Sequence, residues 1–273
     1  MALYRASPKD GVAWITGGSS GVGRALAMAL ATRGFVVAVT AREEDLIDSL
    51  VEEARDLPGR ILSYPCDVCD ERGMAATVEA IEQTAGPIVL AVFNAGSYAP
   101  VSGENLSIRK FRHSFDVNVM GIVHGLTPVA ERMRRRGKGH AVIVGSISAY
   151  FGWPTTAAYG ATKAAVNVMA QALRFDFERI NIRLQVVNPG FIDTPLTQRT
   201  SFKLPALISA ADAARRICRA IDSGGFEVTF PRRLVYAVKF LALLPGPLRH
   251  WFITTATGWK TRPGLGRIKR SRL

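Results

Sequence analysis

The segment AAYGATKAAV, residues 157–166, places a phenol and an ammonium group four residues apart. Residues at this spacing share one face of a helix, so the ammonium of Lys163 can approach the phenol of Tyr159. A free phenol has a pKa of ~10, and a nearby cation favours its ionised form. Tyr159 is therefore a candidate proton donor or acceptor, and Lys163 is the group that could tune it.

A hydroxyl group precedes this pair at Ser146, within the sequence VGSISA. Ser146 follows an apolar run typical of a buried strand, and the carboxyl ends of parallel strands are where such sheets bind ligands. Its hydroxyl could donate a hydrogen bond to a substrate oxygen beside Tyr159. Taken alone, Ser146 is more simply explained as a cap at a strand end.

A glycine-rich loop lies near the N-terminus, in WITGGSSGVGRALAMAL, residues 14–30. Gly17, Gly21 and Gly23 have the spacing G-x-x-x-G-x-G between a predicted strand and a predicted helix. Glycines here allow a tight turn and let the backbone approach a pyrophosphate at the helix N-terminus. A flexible turn is the simpler alternative, but the order strand, loop, helix favours a dinucleotide site.

The end of the second predicted strand, VTAR, bears on the choice of cofactor. A carboxylate there would bind an adenosine ribose and repel a 2′-phosphate. This chain has Ala41 and Arg42 instead, and a guanidinium offers a fork of donors that suits a phosphate. We expect NADP(H) to be preferred over NAD(H), the alternative being that Arg42 is a solvated arginine at a strand exit.

The elements that position these residues follow from an alternation of apolar runs and helical patterns. Six runs rich in Val and Ile are predicted strands, at residues 11–16, 35–41, 61–67, 88–95, 140–146 and 182–190. Longer stretches between them have apolar residues at helical spacing. This alternation predicts an α/β fold, a single doubly wound Rossmann-type parallel sheet with helices on both faces. Residues 1–230 are the predicted catalytic domain, and residues 231–273 a helical C-terminal extension.

Composition limits the class of protein. At 273 residues, 48% hydrophobic and 21% charged, the chain fits one large soluble domain. Its three cysteines are too few for a disulfide framework and the first residues lack a signal-peptide pattern, so we expect a reducing, cytoplasmic setting. Cys66 and Cys69 form a C-x-x-C without a second pair or a nearby histidine, and we expect no metal site.

Seven short motifs occur in order along roughly residues 9–230. They are TGGSSGVG, CDV, NAG, VNVMG, GSIS, YGATK and NPGFIDT. In this order and spacing they resemble the motifs of the short-chain dehydrogenase/reductase family.

The resemblance implies a proton-coupled hydride transfer between a nicotinamide and a carbonyl or alcohol. Tyr159 would be the general acid for reduction or base for oxidation, and Ser146 would polarise the carbonyl. Lys163 would hold the nicotinamide ribose and lower the pKa of Tyr159, while Asn118 would support a water molecule in a proton relay. The implied cofactor-binding residues are Gly17, Ser19, Ser20, Gly21, Val22, Gly23, Arg42, Asp67, Val68, Asn94, Ala95, Gly96, Tyr159, Lys163, Pro189, Gly190, Ile192 and Thr194.

The substrate is less well specified. An aromatic stretch at residues 150–156 and an apolar segment with two cations between Thr194 and Ala210, which covers the substrate in members of the family, favour a lipophilic ketone or acyl chain over a small sugar. The candidate substrate residues are Ser148, Tyr150, Trp153 and Phe191. Alternatively, these aromatic residues pack against the core.

The formal charge of +13 is concentrated at the C-terminus, since ten Lys or Arg and no Asp or Glu follow from Val228 onward. This asymmetry argues against a nucleic-acid-binding domain. The segment predicts an apolar and basic helix, a break at PGP, a short helical continuation and a basic arm, too short to span a membrane. It could contact a membrane surface, cover the substrate site or pack on a partner subunit.

The sequence thus predicts an NADP(H)-dependent reductase acting on a small-molecule ketone or secondary alcohol, assembled as a homodimer or homotetramer. An NAD(H)-dependent alcohol dehydrogenase and a non-catalytic dinucleotide-binding module are the alternatives. The intact set of Ser146, Tyr159 and Lys163 argues against the second.

Overall fold

A seven-stranded parallel sheet forms the centre of the molecule in the computed structural model, which describes residues 3–197 and 206–261. Its strands are β1 (Val12–Thr16), β2 (Val36–Thr40), β3 (Arg60–Ser63), β4 (Ile88–Phe93), β5 (Gly139–Val144), β6 (Ile182–Pro189) and β9 (Glu227–Phe230). Their order across the sheet is β3-β2-β1-β4-β5-β6-β9. The order reverses between β1 and β4, so the ligand crevice of such a sheet is expected there.

Helices cover both faces of the sheet, which confirms the predicted fold class. They are α1 (Gly21–Thr32), α2 (Glu44–Glu53), α3 (Glu71–Thr84), α4 (Ile108–Phe115), α5 (Gly121–Arg136), α6 (Ala157–Arg179), α7 (Ala210–Ser223), α8 (Arg232–Leu243) and α9 (Gly246–Ala256). One buried apolar cluster joins α1, α2 and α7 to the sheet. A second joins α3, α5 and α6 to the opposite face. Burial on two faces explains why the strands are near-continuous apolar runs.

Strand β1 shows how completely the sheet is enclosed. All five of its residues are buried, among them Trp14, which lies edge-on to Phe93 of β4. The indole Nε1 of Trp14 donates a hydrogen bond of 2.9 Å to Thr40 Oγ1 on β2. The polar atom of this large core residue is therefore satisfied, as burial requires.

Strand β9 is absent from the six strands expected from the sequence. It has four residues and begins with a charged one, Glu227, shortly after Gly224 and Gly225. Its parallel pairing with β6, which aligns Val186 with Glu227, is what makes it a strand. A short pair, β7 (Ile192–Asp193) and β8 (Ile208–Ser209), forms a separate two-stranded sheet.

The C-terminal extension is helical, with its break where the sequence predicted one. Helix α8 ends at Leu243, and α9 begins at Gly246, directly after Pro245. Two residues of α8, Val235 and Val238, are buried against Ile147 near the end of β5. The division of the chain at residue 230 stays a prediction. Throughout residues 3–197 and 206–261, no helix combines the length and the apolar character needed to cross a membrane.

Candidate active site

The glycine loop between β1 and α1 comes close to neighbouring backbone. Gly17 has φ +68°, and a Cβ there would lie 2.6 Å from Ala95 Cα. A Cβ on Gly23 would lie 2.2 Å from Gly17 O. Both contacts are too short for any other residue, so glycine is needed at each position. The result is an open backbone cradle at the point where the strand order reverses.

Helix α1 begins at this cradle with its amide groups available. Ser20 is the N-cap residue, and within the described chain its side chain makes no capping hydrogen bond. The first turn of the helix therefore keeps N–H donors and the positive end of the dipole for an anionic ligand. These features fit the pyrophosphate of a dinucleotide.

The rim beyond β2 carries two opposite charges. Arg42 is exposed, with 62% of its side chain accessible, and its Nη2 lies 3.3 Å from Glu43 Oε1. Ser19 Oγ in turn donates to Glu43 Oε2 at 3.3 Å. Arg42 can thus reach a phosphate at this rim, but Glu43 competes for both the guanidinium and the hydroxyl.

The floor of the crevice is fixed by Asn94, at the end of β4. Its Nδ2 donates to Thr16 O at 3.2 Å and to Gly17 O at 2.9 Å. These bonds tie the end of β4 to the start of the glycine loop. Asn94 therefore shapes the floor while the adjoining Ala95 and Gly96 line it.

Ser146 lies two residues after the end of β5 and lines the cavity. Its backbone N–H donates to Asn188 Oδ1 at 2.9 Å, and its Oγ accepts from Ser148 N at 3.1 Å. The hydroxyl of Ser146 also lies near the Tyr159 phenol, where it opposes the rise in the tyrosine pKa. The two hydroxyl groups thus converge, as polarisation of one substrate oxygen requires.

Tyr159 and Lys163 lie one turn apart on α6, where Lys163 is buried and Tyr159 is partly exposed at the cavity. The Lys163 Nζ is 5.7 Å from the centroid of the Tyr159 ring and donates to Val144 O at 2.7 Å. The edge of Tyr98 packs against Tyr159, with ring centroids 5.4 Å apart. The two side chains therefore lie next to each other on one face of the helix, as their spacing predicts.

Burial dominates the protonation of this pair. It lowers the pKa of Lys163 to about 8 and, against the Ser146 hydrogen bond, raises the pKa of Tyr159 to about 12. The sequence-based expectation was that Lys163 would lower the pKa of Tyr159. In this structure the pKa of Tyr159 is instead raised, because removing a side chain from water disfavours its charged form.

Asn118 is fully buried in a π-helical turn, Asp116–Met120, between α4 and α5. Its Oδ1 accepts from Ser97 N at 2.7 Å, and its Nδ2 donates to Ser97 O and Thr162 Oγ1 at 2.9 and 3.0 Å. The side chain thus ties the wall of the crevice to α6 instead of lining the cavity. Such π-turns often occur at functional sites because they leave backbone groups irregularly paired.

A single cavity of about 440 Å³ collects most of the residues expected at the site. Those that line it are Gly17, Ser19, Ser20, Gly21, Val22, Arg42, Asp67, Val68, Asn94, Ala95, Gly96, Ser146, Tyr159, Lys163, Pro189, Gly190, Ile192 and Thr194. Gly23 lies beneath it, packed on Gly17 and Asn94.

The candidate substrate residues have other surroundings. Tyr150, Trp153 and Phe191 pack with Ile147 and the tail helix α8, and are not among the residues that line the cavity. Ser148 uses its backbone N–H to bind Ser146 Oγ. These aromatic side chains therefore pack against the core, which is the alternative that the sequence left open. Residues 198–205 of the predicted substrate-covering segment lie outside the described residues.

Further residues of the cavity were not expected from the sequence. Tyr98 lies against Tyr159 and Glu43 lies beside Arg42, while Leu196 and Cys66 also line the cavity. His113 also lines the cavity, with its Nε2 3.1 Å from Ser97 Oγ. Glu43 directly follows Arg42 and Tyr98 lies two residues after Gly96, so both could have been found from their neighbours in sequence. No sequence motif distinguishes His113, which reaches the cavity wall because of where α4 packs.

Among the described residues, no cluster of His, Cys, Asp or Glu could hold a metal ion.

The model of the short chain dehydrogenase family matches residues 11–204. The chain belongs to the short-chain dehydrogenase/reductase family. An uncharacterized oxidoreductase of Myxococcus xanthus is 32% identical over 236 residues, covering 86% of this chain and 93% of the relative. An NADP-dependent (R)-specific alcohol dehydrogenase of Lentilactobacillus kefiri is 32% identical over 193 residues, covering 69% and 75%. The solved structure of a short-chain dehydrogenase from Streptomyces avermitilis has 25% identity and a TM-score of 0.75, covering 92% and 96%.

Membership in this family makes the protein an oxidoreductase acting on CH–OH or C=O groups with a nicotinamide dinucleotide. The glycine cradle, the uncapped start of α1 and the convergent hydroxyls fit that cofactor.

Proposed function

We propose that this protein is an NADP(H)-dependent reductase of a lipophilic ketone. One observation carries the proposal: a single cavity joins the glycine loop and Arg42 at one end to Ser146, Tyr159 and Lys163 at the other. A bound NADPH supplies the hydride, and the side chains supply position and the proton.

The roles follow from the hydrogen bonds. Ser146 binds and polarises the carbonyl oxygen, and Tyr159, protonated because burial raises its pKa to about 12, delivers the proton to that oxygen. Lys163, held by Val144 O, binds the nicotinamide ribose. Asn118 keeps the crevice wall in register with α6 through Ser97 and Thr162.

The test of the reaction is oxidation of NADPH with a panel of ketones that includes 2-octanone, acetophenone and an acetoacetyl thioester. Tyr159→Phe should lower kcat by about 10²-fold or more, within the range expected for loss of a general acid. The matched control is Tyr64→Phe, which removes a phenol that bonds Thr84 away from the cavity. Undiminished turnover in Tyr159→Phe would exclude the proposed proton donor.

The preference for NADP(H) rests on Arg42. Its exposed guanidinium at the cavity rim suits a 2′-phosphate, and the relative from Lentilactobacillus kefiri is described as NADP-dependent. Glu43, 3.3 Å away, favours the opposite choice, since a carboxylate near the ribose suits NAD(H). An NAD(H)-dependent alcohol dehydrogenase is therefore the second candidate.

Cofactor titrations decide between them. Arg42→Ala should weaken NADPH binding about tenfold and leave NADH binding unchanged, because it removes one charge-assisted contact with the phosphate. Glu43→Gln should strengthen NADPH binding. Arg55→Ala, which removes an exposed arginine paired with Glu52, should change neither. Equal NADPH and NADH affinities, unchanged in Arg42→Ala, would reject the phosphate role.

The proposal of a lipophilic substrate is supported by Tyr98, whose ring packs against that of Tyr159, and by Pro195 and Leu196, which also line the cavity. If it holds, kcat/KM should rise with chain length across 2-butanone, 2-hexanone and 2-octanone. A profile that is flat or falls with length would favour a small polar carbonyl.

We also propose that the protein forms a homodimer or homotetramer. Large apolar side chains are exposed on α4, on α6 and on the π-turn, namely Ile108, Phe115, Met120, Val168 and Phe175. Side chains of this size are more often covered than solvated when they cluster. Light scattering with size-exclusion chromatography gives the mass, and a monomer would reject the proposal.

A peripheral contact with an anionic membrane is the proposed role of the outer tail surface. Helix α8 exposes Tyr236, Phe240 and Leu243 along one stripe, and α9 exposes Trp251 and Phe252. Aromatic side chains and an excess of cations are the chemistry that anionic lipid interfaces bind. A second copy of the same positively charged surface would be repelled.

Co-sedimentation with phosphatidylcholine vesicles, with and without phosphatidylglycerol, tests this contact. Binding should require phosphatidylglycerol and be lost in Phe240→Ser/Trp251→Ser but not in Leu106→Ser, an equally exposed apolar control. Absence of binding, or a change of oligomeric mass in the double variant, would reject the membrane contact.

We also propose that the protein is cytoplasmic, which the free state of Cys66, Cys69 and Cys218 supports.

A further inference from the structure

The buried amide of Asn188, near the end of β6, uses its full hydrogen-bonding capacity. Its Oδ1 accepts from Ser146 N at 2.9 Å and from Asn167 Nδ2 at 3.1 Å. Its Nδ2 donates to Asn167 Oδ1 at 2.7 Å and to Glu227 Oε1 at 3.0 Å. An asparagine side chain has two donors and two acceptor sites, so these four bonds leave it no other orientation.

Asn188 connects the two segments that carry the reacting groups. One bond holds the backbone of Ser146. Through Asn167, whose Nδ2 also donates to Lys163 O at 2.8 Å, the same amide reaches the catalytic turn of α6. The spacing between Ser146 and the Tyr159 helix therefore depends on how Asn188 is oriented.

The backbone beside Ser146 is adapted to this amide. A Cβ on Gly145 would lie 2.0 Å from Asn188 Oδ1 and 3.0 Å from Asn167 Nδ2. Only glycine lets the two asparagine side chains approach the chain here. The contact is thus built into the end of β5 instead of being an incidental surface bond.

Glu227, the first residue of β9, joins three elements. Its Oε1 accepts from Asn188 Nδ2 and from the Tyr150 hydroxyl, the latter at 2.5 Å. Its Oε2 is 2.5 Å from Lys239 Nζ, on the tail helix α8. Although partial removal from water opposes ionisation, the hydrogen bonds from Lys239, Tyr150 and Asn188 hold the pKa of Glu227 below its ordinary value. The carboxylate is therefore charged and fixed.

Lys239 also covers the ring of Tyr150, with its Nζ 5.2 Å from the ring centroid. Tyr150 follows the short 3₁₀ turn Ile147–Ala149 that begins directly after Ser146. The tail helix thus reaches the segment of Ser146 from two sides, through Tyr150 and through Glu227 to Asn188. An isolated, partly exposed ion pair would contribute little, but this pair ends a chain of hydrogen bonds that leads inward.

We propose that Lys239 and Glu227 are positioning residues, which orient Asn188 and thereby hold Ser146 in its catalytic place. The C-terminal extension is on this view part of the catalytic apparatus, in addition to any role of its outer surface. The inference rests on the proposed function of Ser146.

The first measurement needs no substrate. Hydrogen exchange of the peptide that contains residues 145–150 should be about tenfold faster in Lys239→Met than in the unaltered protein, because the acceptor of the Ser146 N–H becomes mobile. Lys239→Arg should restore slow exchange. Arg219→Met, which removes an exposed cation from α7, is the matched control and should leave the peptide unchanged.

The second measurement is steady-state kinetics with NADPH and 2-octanone. Lys239→Met and Glu227→Gln should each lower kcat roughly three- to tenfold, since small displacements of a catalytic group reduce turnover. The dissociation constant of NADPH should not change, because the glycine loop lies on the other side of the cavity. The double variant should be no worse than the poorer single variant, since both act through Asn188.

Unchanged exchange and unchanged kcat in Lys239→Met would overturn the proposal, as would fully additive losses in the double variant. If Lys239→Met does not fold, Tyr150→Phe, which removes one donor to Glu227 and keeps the ring, must show faster exchange for the proposal to stand. Failure of the proposed function gives a different result. Ser146→Ala would then retain its turnover, whereas failure of this inference leaves Ser146→Ala inactive and Lys239→Met fully active.

Discussion

The buried ammonium of Lys163 should make the protein less stable below pH 8 than above pH 10. Its side chain is buried, and burial lowers its pKa from 10.5 to about 8. Between these two values the unfolded chain binds more protons than the folded one, so the free energy of unfolding rises with pH. The difference of 10.5 − 8 = 2.5 units corresponds to about 3 kcal/mol of destabilisation, fully present at pH 7.

The variant Lys163→Met removes this charge and keeps a side chain of similar length. It also leaves Val144 O without the 2.7 Å hydrogen bond from Nζ, at a cost of about 1–3 kcal/mol. Lys163→Met should therefore be as stable as the unaltered protein at pH 7, or more stable by up to ~2 kcal/mol, while losing turnover. At pH 10.5 the variant should be the less stable of the two.

Urea unfolding without cofactor, at several values between pH 7 and 10.5, measures the difference between the two proteins. That difference should change by about 3 kcal/mol across the range. Lys9→Met, which removes an exposed lysine, is the control and should show no such change. A difference for Lys163→Met that stays constant with pH would refute the assignment of a buried, depressed lysine.

Two further substitutions test the cradle and the core. Gly23→Ala should abolish NADPH binding in a fluorescence titration, because its Cβ would lie 2.2 Å from Gly17 O, whereas Gly103→Ala, with open space around it, should bind normally. Burial lowers the pKa of His140 to about 4, so the unfolded chain binds the extra proton first as the pH falls below 6.5. Stability should then decrease by about 3 kcal/mol between pH 7 and 4, and His140→Gln should lose less over the same range in urea unfolding.

The fold was predictable wherever one stretch of chain carries its own signal. Strand β1 and the glycine loop are such a case, since an apolar run, a required glycine such as Gly17 and a helix start follow each other directly. Strand β9 is the opposite case. Its four residues, opened by Glu227, become a strand through pairing with β6, and a pairing partner is not visible in a short segment.

The candidate site divides in the same way. Tyr159 and Lys163 could be placed side by side because helical geometry fixes the relation of residues four apart. His113 could not be placed at the cavity, since its position depends on how α4 packs. Tyr150 and Trp153 were expected near the substrate from their closeness in sequence to Tyr159. Their rings turn instead toward α8, a helix that begins far along the chain.

Local sequence was enough to predict the strand-helix alternation, the glycine loop and the candidate reacting side chains, because each depends on residues near one another in the chain. The groups that enclose them follow from tertiary packing. It brought Lys239 to Glu227 and Glu227 to Asn188, and it set the protonation of Lys163 through burial. Those properties arise from contacts between distant segments and from exclusion of water, neither of which is carried by local sequence.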